Sequence, residues 1–173
     1  MVGLGLAFSL ILIGDTPLPA ATFYWDANGA TSGFGTNADG NWRRTAAGLY
    51  WGDAAGTATP ALWVNGSDAV FAASDDTDET YTVTANTITS NSVLIEHGNI
   101  SFNSGTLTLT GSASINVASG LTATFSTGVS GSVGLAKDGA GTLASPAARI
   151  SAARLTSTRA PSASVRPTCS APP

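Results

Sequence analysis

Only 10% of the 173 residues are charged and the formal net charge is −4, against about 25% charged in ordinary globular domains. That balance argues against a surface built to hold nucleic-acid phosphates. The single cysteine, Cys169, excludes a disulfide framework and a CxxC zinc site.

The chain opens on "MVGLGLAFSLILI" (1–13), then "GDTPLPAA" and the polar "TFYWDANG". An apolar run followed by small residues and a polar switch predicts a secretory signal peptide over 1–21, cleaved near Ala20 or Ala21. The basic leading segment is missing, which a start codon assigned too late would explain. An apolar first strand or helix is the alternative. The run is shorter than the roughly 20 residues a helix needs to cross a bilayer, so no transmembrane anchor is expected. The expected location is secreted or cell surface.

Residues 22–78 hold all four tryptophans, Trp25, Trp42, Trp51 and Trp63. They alternate with the turn signals "DANG", "GFGTNADGNW", "WGDAAG" and "VNGSD", a pattern of short strands and tight turns. Two uses of the indoles stand open. They can form the core of a β cap, or stand exposed as a sugar-stacking platform that makes the chain a carbohydrate-binding module. The acidic stretch "SDDTDET" (74–80) reads as a solvated loop, since the spacing of a calcium-binding loop is absent.

Residues 79–143 are more regular. "TYTVTA" (80–85), "SVLIEH" (92–97), "NISFN" (99–103), "TLTLT" (106–110), "SINVA" (114–118) and "LTATFS" (121–126) alternate apolar with polar residues. Period two places alternate side chains on one face. Helix formers are scarce: one Met, one Lys, two Glu and no Gln. The prediction is an all-β fold, a right-handed parallel β-helix of three short strands per coil with a Trp-rich N-terminal cap. An antiparallel β-sandwich is the alternative. Leu94, Ile100, Phe102, Leu107, Leu109, Ile115, Val117 and Phe125 are the expected inward ladder. Leu94 and Ile115, and Phe102 and Ala123, are spaced 21 apart, as equivalent positions on successive coils.

"GLAKDGAGTL" (134–143) reads as a corner between coils. Gly139 and Gly141 supply the bends, and Leu143 is the first inward residue of the next rung. The segment 144–173 has no glycine and no acid, and holds five of the eight prolines. Composition predicts disorder. A frameshifted gene end and a genuine basic tail both fit.

"GLAKDGAGTL" also resembles the signature of autotransporter-associated β-strand repeats. "TFYWDANGA", "DGNW", "LYWG", "LWVNGSDAVF" and "GTLTLTGSASINVASGLTATFSTGVSGSVGL" precede it in the order such proteins show. The resemblance covers about 22–143 and departs at Leu143. It implies a right-handed β-helix within a large exported passenger, with a structural role and no chemistry of its own.

Residue chemistry points the same way. His97 is the only histidine, and no "GxSxG" accompanies it. Between 80 and 137 the only acid is Glu96, whereas glycosidase chemistry pairs two carboxyls. No catalytic residue, cofactor or metal site is expected. The expected partners are surface glycans, through Trp25, Trp42, Trp51 and Trp63, or neighbouring β-repeat proteins. Self-association through an open solenoid end is also expected, because unpaired strand edges recruit strands.

Overall fold

The computed structural model describes residues 19–29, 31–35, 38–45, 49–72, 79–131, 134–145, 150–152 and 155–157. Residues 1–18 of the expected signal peptide, 74–78 of the acidic stretch and most of the segment after 145 lie outside the described residues.

The described residues are all-β and contain no helix. Four short strands occupy the cap: β1 (Thr22–Trp25), β2 (Gly40–Trp42), β3 (Trp51–Gly52) and β4 (Asp68–Phe71). The repeating part runs through β5 (Thr80–Ala85), β6 (Ile88–Ile95), β7 (Asn99–Asn103), β8 (Thr106–Val117), β9 (Thr122–Phe125) and β10 (Gly128–Gly131). It continues through β11 (Leu135–Asp138), β12 (Thr142–Ala144), β13 (Ile150–Ala152) and β14 (Leu155–Ser157).

Strands stack in parallel as a β-solenoid of about three turns. One side is the sheet β12-β9-β7-β5-β2. The other sheet supplies two sides, because β6 and β8 bend round a corner without a break in strand structure. Before the bend, Ile88–Ser90 lies beside Leu107–Leu109, then β10 and β13. After it, Ser92–Ile95 lies beside Ser114–Val117, then β11 and β14. Among the described residues only the β1–β3 pair and an isolated Trp51–Ala61 bridge are antiparallel. The sandwich alternative is therefore overturned.

The coil begins earlier than expected. β1 already runs parallel to β4, and β4 to β6, so residues 22–78 are partly solenoid and not solely a cap. The coil also continues later. Disorder was expected from 144 onwards, but β13 and β14 pair in parallel with β10 and β11. Backbone ladders need no particular side chain, so a Gly-free, Ala-rich segment can still supply a rung.

Inside, period two does what the sequence predicts. Ile100, Phe102, Leu107, Leu109, Ile115, Val117 and Phe125 are buried, and the intervening Ser and Thr residues are part-exposed. Leu94 is the exception. It pairs with Asn116 on the outer side, while Val93 and Ile95 point inward opposite Ile115 and Val117. The assumed constant spacing failed there because coil length varies. Tyr81 lies beside Ile100, Ile100 beside Ala123 and Ala123 beside Leu143, intervals of 19, 23 and 20 residues. One corner absorbs much of the variation: Asn91 alone on the first coil faces the four residues from Thr110 to Ala113 on the second.

The corner read from "GLAKDGAGTL" is present. Gly139 has φ +73°, and a Cβ there would lie 2.2 Å from the Val117 carbonyl oxygen. A Cβ on Gly141 would lie 2.2 Å from the Ala118 carbonyl oxygen. Leu143 packs against the core and pairs with Ala123.

Where a strand lacks a neighbouring backbone acceptor, a side-chain oxygen supplies one. Asp39 Oδ1 accepts from the Thr82 N–H at 2.6 Å, Asn65 Oδ1 from Thr89 at 3.2 Å and Asn99 Oδ1 from Thr122 at 2.8 Å. These bonds extend the ladder to groups that would otherwise go unpaired.

Candidate functional site

The four tryptophans that were candidates for sugar stacking are all in the core. Trp25 and Trp42 are 0% exposed, Trp51 1% and Trp63 2%. Ring centroids lie 5.2 Å apart for Trp25–Trp51, 5.3 Å for Trp42–Trp51, 5.1 Å for Trp42–Trp63 and 4.5 Å for Trp51–Trp63. Phe71 joins the cluster and hands it to Phe102 at 5.1 Å. Trp25 Nε1 donates to the Ala38 carbonyl at 2.9 Å and Trp63 Nε1 to the Thr89 carbonyl at 3.1 Å. The expectation of an exposed indole platform is thus corrected. Rings buried on this scale close the end of the apolar interior and offer no face to a pyranose.

Part-exposed rings lie beside this cluster, Phe23 against Trp63 and Tyr50 against Trp25. Tyr50 is half-buried and stacks on Trp25, with centroids 4.8 Å apart and planes 12° from parallel. Its position depends on Gly40, where a Cβ would come within 2.7 Å of Trp25 and 3.0 Å of the Tyr50 ring. Tyr50 borders an open depression of about 360 Å³, together with Asp39, Gly40, Asn41, Thr82 and Thr84. Strand alternation sets its chemistry. Trp42, Tyr81 and Val83 are buried, so Asn41, Thr82 and Thr84 face outward. The signal in the sequence was adjacency: with Trp51 committed to the core, its neighbour Tyr50 was free to lie at the rim.

A second polar cluster lies in the cap. Asp26 is fully buried; its Oδ1 accepts from the Asn28 N–H at 3.1 Å, while Oδ2 has no hydrogen-bond partner. Burial raises its pKa above the ordinary carboxylate value, against the opposing backbone hydrogen bonds from Asn28 and Gly29. Exposed Asp53 goes the other way: the Thr57 N–H at 2.9 Å leads the groups that hold its carboxyl below the usual range. Asp53 thereby fastens the turn after β3.

His97 sits part-buried just beyond β6, and its carbonyl accepts from the Tyr81 hydroxyl at 3.4 Å. Burial holds that phenol well above its ordinary pKa. No group of three or more His, Cys, Asp or Glu able to hold a metal ion occurs among the described residues. Comparison with protein-family models, with curated proteins and with solved structures found no match.

Proposed function

We propose that the chain is a structural, non-catalytic β-solenoid segment of an exported or cell-surface protein, of the kind found in autotransporter passengers. The observation that carries this reading is the inward ladder. Phe71, Ile95 and Val117 succeed one another on one side of the coil, and Val83, Phe102 and Phe125 on another, all buried. The outer surface between them is mostly Ser, Thr and Asn. Such a solenoid spends its sequence on length and rigidity, each coil resting on its neighbours. The apolar start of the chain and the resemblance carried by "GLAKDGAGTL" support export.

Fusing residues 1–21 to a reporter enzyme active only outside the cytoplasm tests export, and the full tagged chain tests destination. Reporter activity outside the cytoplasm, with surface-accessible or secreted tag, is the expected result. A reporter confined to the cytoplasm would exclude the exported-scaffold reading.

A further inference from the structure

We infer that the depression between Tyr50 and the outer face of β2 and β5 is a binding site for a neutral saccharide chain. This goes beyond the scaffold reading and does not depend on it.

Three observations converge. The first is a fixed ring. Tyr50 is held by its stack on Trp25, in room that Gly40 leaves by lacking a Cβ, so the ring is already ordered before a ligand arrives. The second is the polar complement. Asn41, Thr82 and Thr84 both donate and accept, which matches sugar hydroxyls that do both. The third is size, since about 360 Å³ falls within the range of roughly 300–1,000 Å³ for small-molecule sites.

The lining also selects against other ligands. Among the described residues it contains no cation, which disfavours phosphates, nucleotides and acidic glycans. Among the described residues it contains no aliphatic side chain large enough to anchor an apolar peptide. A pyranose presents an apolar C–H face to an aromatic ring and hydroxyls at its edge, the two chemistries side by side here.

Saturation-transfer NMR and titration calorimetry on the full chain would test this with cellohexaose, laminarihexaose, mannohexaose and chitohexaose, and with oligogalacturonate as the acidic probe. At least one neutral hexaose should receive saturation at millimolar concentration. Tyr50→Ala and Asn41→Ala should each weaken it tenfold or more, while Tyr50→Phe retains binding. Thr124→Ala, on the same sheet, should bind as wild type. If Tyr50→Ala loses its thermal transition, the outward Asn41→Ala decides alone. Failure of all four neutral probes overturns the inference. So does undiminished binding in a folded Tyr50→Ala or Asn41→Ala, preference for oligogalacturonate, or an equal loss in Thr124→Ala.

Discussion

Phe102 and Phe125 sit on successive coils in direct register, with ring centroids 4.4 Å apart and planes 19° from parallel. Both are fully buried, and Phe102 also meets Phe71 and Trp42. The pair therefore joins the repeating interior to the cap cluster. Phe102→Ala should destabilise the chain by about 3–5 kcal/mol, the usual cost of emptying a buried aromatic site. Urea denaturation followed by tryptophan fluorescence measures it. A loss within about 0.5 kcal/mol, the level of surface substitutions, would show that the two coils do not transmit packing to each other.

Two glycines separate backbone freedom from steric room. Gly105 has φ +63°, and a Cβ there would lie 2.3 Å from the Ala85 carbonyl oxygen; Gly120 has φ +84° and nothing within 4 Å. Gly120→Ala should cost about 1–2 kcal/mol, the left-handed conformation alone. Gly105→Ala meets backbone as well and should cost clearly more. Thermal melts of the two variants side by side check the order, and equal losses would contradict it.

Asp26 gives a pH dependence with a definite sign. Its folded carboxyl ionises at a higher pH than the ordinary 3.8, mainly because it is buried. The protonated form therefore favours the fold. That contribution is whole below the unfolded pKa and is lost as pH rises through the folded value. Asp26→Asn removes the ionisation, so the Tm of the variant minus that of wild type should rise between pH 3.5 and pH 7. A flat or falling difference would contradict the burial argument.

Lys137 occupies an inward position, opposite Ile115, which itself lies opposite Val93. Its ammonium reaches back to the carbonyls of Asp138 and Gly139, the latter at 2.9 Å, so the stem covers apolar surface while the charge escapes it. Lys137→Leu should continue the ladder and raise stability by about 1 kcal/mol, part of what full burial of a leucine contributes. A lower denaturation midpoint in the variant would show that the carbonyl contacts outweigh burial.

Much of the coil was legible because alternation is local. "TYTVTA" and "NISFN" became β5 and β7 with the same limits, and Phe102, Leu107 and Ile115 face inward as their spacing predicts. Leu94 was misplaced because register between coils is a nonlocal property, set by how many residues each corner takes. The strands at Ile150–Ala152 and Leu155–Ser157 were missed for a related reason: pairing is offered by β10 and β11, not by their own composition. Tyr50 was overlooked beside four tryptophans, since the sequence marks aromatic content plainly and exposure only through strand parity.

The corner at Asn91 has a consequence for how such a chain can lengthen. Asn91 holds Asp68 of the preceding coil through its amide nitrogen at 2.6 Å, and its oxygen lies where a Cβ on Gly111 would fall. The next coil passes over it with four residues in place of one, Gly111 at φ +58° and Ala113 at φ +45°, and pairing resumes at Ser114. The second coil thus carries three more residues at this corner, with Ala113 turned into the core, while Val93 and Ile95 still lie opposite Ile115 and Val117. The fold keeps time by its interior and not by residue count, so new sequence can enter at this vertex while the stack beneath it stays in step.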